Sequence, residues 1–141
     1  MNKWNARFMK IAQEVATWSK DPDKQVGAVI VSPDNRQVVW GYNGFPRSLD
    51  PGLAHDNASK NAFTVHAELN AILNATVDIR GWTIYVTHAP CVECAKAIIQ
   101  AGITEVWVDA DGQPKHNSKW AQSVLQAHDA FRTCGLHVDY I

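Results

Sequence analysis

Long apolar runs are missing from this sequence: nowhere do about 18 hydrophobic residues follow one another, and the opening stretch MNKWNARFMKIAQEV mixes polar and apolar positions. Such a chain is expected to be soluble and cytoplasmic, with no membrane partner. An excess of one charge is missing too. Thirteen Lys and Arg stand against fourteen Asp and Glu, for a formal net charge of -1, and the basic residues are scattered along the chain. A long nucleic acid calls for a basic stripe and is excluded as a partner, whereas a single phosphate group needs only one or two well-placed cations. Cysteine is scarce and odd in number. Of the three, two form Cys91-x-x-Cys94, which in a reducing compartment points to metal or redox chemistry rather than a disulfide framework. Internal repeats, low-complexity tracts and linkers are absent, so 141 residues, 46% of them hydrophobic, are expected to form one domain over 1–141 around one core.

What is present is strong periodicity. Trp4, Phe8, Ile11, Val15 and Trp18 recur at spacings of three and four, the stripe of an amphipathic helix, which Asp21 and Pro22 bring to an end near Ser19. VGAVIV (26–31) and QVVWGY (37–42) are rich in β-branched residues and flank the turn-forming SPDNR, predicting an antiparallel hairpin. GYNGFPRSLDPG (41–52) is punctuated by Gly and Pro and reads as an irregular loop over one end of the sheet. The order then alternates: a helix over 65–74, a strand over 83–87, a helix over 92–101 ended by Gly102, and a strand over 105–109. Strand, helix, strand predicts parallel pairing through a right-handed crossover. A last helix carrying Trp120, Val124, Ala127 and Phe131 leads through Gly135 to a short strand at 137–139. The sum is a layered α/β domain, a mixed sheet of about five strands that begins with an antiparallel hairpin and has helices on both faces.

Two clusters carry chemistry, His66-Ala67-Glu68 and Pro90-Cys91-Val92-Glu93-Cys94, and each opens a predicted helix. Cysteines three apart on a first turn present both sulfurs to one side, beside free amide groups that favour the thiolate form. One imidazole and two thiolates make three ligands. Structural zinc sites are closed by four protein ligands, while catalytic sites leave the fourth position to water. Glu68 sits beside that cluster without being needed as a ligand, so it is the candidate to take a proton from an activated water and pass it on. Alone, Cys91-x-x-Cys94 fits a redox pair or half of a zinc knuckle equally well. His88 and Cys134 are alternative fourth ligands that would close the site, and otherwise a polar strand-end residue and a small buried residue. Glu93 reads as solvent-facing.

The pair of motifs resembles the H-x-E and P-C-x-x-C signature of zinc-dependent nucleobase deaminases. KDPDKQVGAVIV (20–31), GYNGFPR (41–47), VHAELNAILNA (65–75) and YVTHAPCVECAKAIIQAGITEVW (85–107) narrow the resemblance to the deoxycytidylate deaminases of the cytidine deaminase superfamily, over about the first three quarters of the chain. The resemblance implies the cytidine deaminase-like three-layer α/β/α fold, one zinc ion per subunit held by His66, Cys91 and Cys94, and Glu68 as the proton carrier. It implies hydrolysis at C4 of deoxycytidylate (dCMP), giving deoxyuridylate (dUMP), a thymidylate precursor, and ammonia. Asn43 would then bond the sugar or base, the backbone of Ala67 the pyrimidine carbonyl, and the carbonyl of Pro90 the amino group. Val26 and Ala28 would line the ring, and Arg47, ahead of Lys115 and Lys119, would meet the phosphate. The same resemblance implies a homo-oligomer, commonly a hexamer, and possible dCTP and dTTP effectors associated with the GYNG segment.

Two features depart from the family pattern. The stretch 48–64 holds no further Cys for a second structural zinc, and DADGQPKHNSKW (109–120), where family members place phosphate and effector contacts, has an unusual form. Rival readings are a related deaminase of a free nucleoside, a modified cytosine nucleotide or a tRNA adenosine, and a catalytically silent zinc module. Balanced charge argues against the tRNA substrate, and Glu68 against the silent module.

Overall fold

A computed structural model describes residues 2–141. Its five-stranded sheet runs in the order β2-β1-β3-β4-β5, with β1 Gly27–Val31, β2 Val38–Tyr42, β3 Thr83–Val86, β4 Glu105–Val108 and β5 His137–Tyr140. β1 pairs antiparallel with both β2 and β3, and β3, β4 and β5 are mutually parallel, so the sheet is mixed as expected. The hairpin forms between Ser32 and Gln37, where Ser32 N–H donates to the Gln37 carbonyl at 3.0 Å and Asn35 takes a left-handed φ of 63°.

The two-residue alternation of a strand divides the core into two layers. Ala28, Ile30, Ile84, Val86, Val106 and Val108 face the helices α3 Ala67–Asn74, α4 Val92–Gln100 and α5 Ala121–Thr133. Val29, Val31, Tyr85 and Trp107 point to the other face, where Phe8, Met9, Ala12 and Val15 of α1 Lys3–Ala16 cover them. The result is the three-layer α/β/α arrangement.

Two details of α1 correct the periodicity reading. Trp4, Ile11 and Trp18 are exposed, and the buried face runs through Asn5, Phe8, Met9, Ala12, Val15 and Ala16. The cause lies in how closely the helix approaches β1: a Cβ on Gly27 would stand 2.1 Å from the Ala12 carbonyl oxygen, so small residues rather than the largest ones face the strand. The helix ends at Ala16, and Thr17, Trp18 and Ser19 continue in turns whose N–H groups bond three residues back. The segment after the Gly- and Pro-rich loop also contains a helix that periodicity did not reveal, α2 Asn57–Phe63, capped by Asp56 accepting from the Ser59 N–H at 2.7 Å.

Candidate active site

Parallel β3 and β4 end on the same side of the sheet, and antiparallel β1 begins there, so Val26, Thr87 and the start of α4 meet at one edge. Sites in open α/β sheets form at such carboxyl ends. Thr87 locks the meeting point: its N–H donates to the Gly27 carbonyl and its hydroxyl accepts from the Gly27 N–H, both at 3.0 Å.

His66 and Cys91 occupy equivalent places, each the extended residue immediately before a helix, α3 and α4 respectively. His66 is fixed from outside by its neighbour Val65, which exchanges two backbone hydrogen bonds with Gly44 of the GYNG segment. α3 is held down on β2 by Asn70 and Asn74, whose amides donate to the carbonyls of Tyr42 and Trp40 at 2.8 and 2.9 Å. This close packing depends on Gly41, because a Cβ there would stand 2.3 Å from the Ala71 nitrogen. The first turn of α4 is fixed by α5, where the Ser123 hydroxyl accepts from the Val92 N–H at 2.9 Å.

These constraints bring His66 Nδ1 to 3.5 Å from Cys91 Sγ and 3.4 Å from Cys94 Sγ, with all three donor atoms within 4.8 Å of one another. Tetrahedral zinc with its usual Zn–S and Zn–N bonds requires an S···N edge of about 3.6 Å. The three residues therefore fit zinc. Contacts within the cluster also shift its acidities. A hydrogen bond from Cys94 holds the Cys91 thiol down at about 4, His66 assists and is itself raised by that contact, and the Cys94 thiol is pushed up in turn. His88 and Cys134 do not complete the set. His88 Nδ1 pairs with the Thr87 hydroxyl at 3.0 Å, and Cys134 is exposed at the far end of α5, contrary to its reading as a small buried residue.

Glu68 is the second residue of α3 and is 4% exposed, yet it borders the cavity in front of the cluster. Burial pushes its carboxyl above the usual carboxylate range, the direction that favours holding a proton. Glu93, by contrast, pairs with Lys96 at the surface, at 2.8 Å.

The cavity holds about 330 Å³ and has a polar rim. Val26, Asn43, His66, Ala67, Glu68 and Cys91 line it, whereas Ala28, Pro90, Cys94 and Arg47 do not. Ala28 is fully buried within β1, with its side chain turned toward α3 and α4, and the Pro90 side chain is buried as well. Arg47 stands in solvent beyond the bend after Gly44. Asn43 is 6% exposed, and its amide is engaged by the backbone: Oδ1 accepts from the Val26 N–H at 2.9 Å and Nδ2 donates to the Lys24 carbonyl at 2.8 Å.

Lys119, one of the cations named from the sequence, lines the cavity together with residues that carried no site signal there. Trp120 packs edge-on against His66 with ring centroids 6.0 Å apart, and Lys119 lies over the Trp120 ring at 5.2 Å. From the unusual 109–120 segment come Gly112, Gln113 and Pro114. Lys24, Lys60, Asn57 and Asn61 line the cavity as well.

The family model described as the cytidine and deoxycytidylate deaminase zinc-binding region matches residues 2–110. An uncharacterized deaminase in the luxG 3′ region of Aliivibrio fischeri is 40% identical over 142 residues, covering 100% of this chain and 95% of that protein. Human deoxycytidylate deaminase is 46% identical over 112 residues, covering 74% of this chain and 63% of the human one. Among solved structures, the dCMP deaminase of cyanophage S-TIM5 in complex with dCMP and dUMP superposes with a TM-score of 0.79 at 25% identity, covering 100% of this chain and 99% of that one.

Proposed function

Since the chain belongs to the cytidine and deoxycytidylate deaminase zinc-binding family, we propose that it hydrolyses deoxycytidylate to deoxyuridylate with release of ammonia. One observation carries the reading: a three-donor cluster, sized for zinc, faces a nucleotide-scale cavity beside a buried carboxylate that the cluster does not need as a ligand. Three protein ligands suit a catalytic centre rather than a structural one. Held by His66, Cys91 and Cys94, zinc supplies Lewis acidity, lowering the pKa of water toward neutrality.

The chain's own residues account for the remaining steps. Glu68 takes one proton from the attacking water and passes it to N3, then takes the second from the new C4 hydroxyl and passes it to the departing amine, so that water adds at C4 and ammonia leaves. Its buried position beside the cluster supports this role, because burial raises the carboxyl and makes it a better proton acceptor. Ala67 begins α3, where backbone N–H groups lack helical partners and suit the ring carbonyl oxygen. The Pro90 carbonyl, immediately before Cys91, is the proposed acceptor for the amino group. Val26 offers an apolar wall to the ring, and the second amide hydrogen of Asn43 is available to the sugar.

The human relative extends well beyond the matched region, since the match spans 63% of its length. Assembly into a homo-oligomer, a hexamer by analogy, belongs to the proposal. Exposed Trp18, Trp40 and Tyr42 support it: Trp18 packs edge-on to the other two at 5.7 and 6.2 Å and leaves an aromatic surface at the β2 edge of the sheet. Among the described residues no helix is long and apolar enough to cross a membrane, which is consistent with a cytoplasmic enzyme of nucleotide metabolism.

The test is ammonia release by the zinc-loaded protein from dCMP, dCTP, deoxycytidine, CMP and 5-substituted dCMP. Turnover highest on a cytosine deoxynucleotide is the expected result. No turnover on any pyrimidine would overturn the proposal.

A further inference from the structure

A second cavity, of about 320 Å³, lies at the pole of the sheet opposite the active site. Its walls come from the end of β1 (Val31), the starts of β3 and β4 (Thr83, Glu105) and the start of α1 (Asn2, Asn5). The sheet separates the two cavities: Thr83 opens β3 here, and Thr87 follows its last residue at the active site, about 13 Å away at strand spacing.

Two side chains give this cavity its chemistry. Glu105 is the first. Among the described residues no Lys or Arg lines the cavity with it, and Glu105 forms no ion pair within 4.0 Å. Its Oε2 accepts from the Thr83 hydroxyl at 3.1 Å, a neutral contact that holds the carboxylate without cancelling its charge.

Asn5 is the second. It is 8% exposed, and its Oδ1 accepts from the Tyr85 hydroxyl at 2.8 Å. Burial, with Glu105 nearby, pushes that hydroxyl up to about 12, so it keeps the proton it donates and fixes which way the amide faces. Asn5 Nδ2 then has no partner among the described residues. The unpartnered side-chain atom that is sealed inside the protein is Trp107 Nε1, so Nδ2 is not sealed, and it opens on the cavity that Asn5 lines.

These groups make the cavity dipolar. α1 begins there, its first turn capped by Asn2 Oδ1 accepting from the Trp4 and Asn5 N–H groups at 2.9 and 3.2 Å, so the positive end of the helix lies on the same side as Asn5 Nδ2. Glu105 supplies the negative wall. A simple anion would meet that carboxylate, and a simple cation would leave the buried amide donor unanswered. A ligand carrying both charges satisfies both walls, its carboxylate on Asn5 and the start of α1 and its ammonium on Glu105.

We infer that this cavity is a second ligand site, separate from the active site, and that it binds a zwitterionic α-amino acid with a small polar side chain. The inference goes beyond the deaminase reading and does not depend on it.

Calorimetric titration of the zinc-loaded protein with L-serine and L-glutamine tests it, with methylamine and acetate as probes of one charge each. Saturable binding of at least one of the amino acids, unchanged by excess dUMP, is expected, and the single-charge probes should bind about tenfold or more weakly. Glu105→Gln still accepts from Thr83 but carries no charge, and Asn5→Asp still accepts from Tyr85 but offers no donor. Each is expected to weaken amino-acid binding about tenfold to hundredfold. Should Asn5→Asp fail to fold, Glu105→Gln decides alone. No binding of either amino acid, affinity unchanged in Glu105→Gln, or displacement by dUMP overturns the inference. Methylamine binding as tightly as the amino acids overturns it too, and marks a pocket for a basic side chain instead.

Discussion

Asn43 and Val26 are joined by two hydrogen bonds: the Val26 N–H donates to Asn43 Oδ1 at 2.9 Å, and the Asn43 N–H donates to the Val26 carbonyl at 3.3 Å. Asn43 Nδ2 also donates to the Lys24 carbonyl and the Ser19 hydroxyl to the Asn43 carbonyl, each at 2.8 Å, so one buried side chain ties the GYNG segment to the entry of β1. Asn43→Ala leaves the Val26 N–H and the Lys24 carbonyl without these partners. A loss of about 2–4 kcal/mol in urea unfolding is expected, together with weaker nucleotide binding because Lys24 loses its anchor. Unchanged stability with a raised KM would assign Asn43 to substrate alone.

Gly112 packs directly on the end of β3. A Cβ there would stand 2.0 Å from the Thr87 carbonyl oxygen and 2.7 Å from the His88 Cα, both backbone positions with little room to move. Gly112→Ala is therefore expected to push the 110–114 segment off the strand end, costing about 1–3 kcal/mol of stability and raising KM. Wild-type thermal stability and KM in this variant would show that the contact yields freely.

Chelation tests the metal's contribution to the fold. The cluster joins the starts of α3 and α4, so removing zinc from the loaded protein is expected to lower Tm, and added zinc to restore it. His66→Ala is expected to hold less than one zinc per chain by elemental analysis. Full zinc occupancy in that variant would contradict the assigned ligands.

Glu68 also sets a pH dependence. Burial holds its folded-state pKa above the ordinary 4.5, so the folded chain binds this proton more readily than the unfolded chain. The associated stability is complete at acid pH and declines as pH rises through the folded-state value. Glutamine cannot ionise, so the chelated Glu68→Gln protein is expected to unfold at a higher temperature than chelated wild type at about pH 8, with the gap closing toward about pH 5. A gap of the opposite sign would place a stabilising cation beside the carboxylate.

Much of this site could be read from the sequence because its reacting groups are local. Each motif spans at most one helical turn, and ligand spacing within a turn fixes which way side chains point. The hairpin and the parallel crossover from β3 to β4 were legible for a similar reason, since β-branched runs and their connecting helix are contiguous segments.

Apart from Lys119, the rim was not legible, because Lys24, Trp120 and Gly112 become neighbours only once β1 sits beside β3 and α5 folds back over α4. Asn43 was recognised, but its bonds to Lys24 and Val26 depend on that same closure. On α1, the largest apolar residues misled because Gly27 selects for small ones at the closest approach. Ala28 alternates away from the cavity into the core, and Arg47 follows the chain outward after Gly44 has paired with Val65.

The most direct measurement combines turnover of dCMP with zinc content in one preparation of Glu68→Gln. Zinc held at about one per chain, with kcat reduced by about 10²–10⁴, is the predicted result for a carboxylate that moves protons and does not bind the metal. Wild-type kcat in a fully zinc-loaded variant would contradict the account.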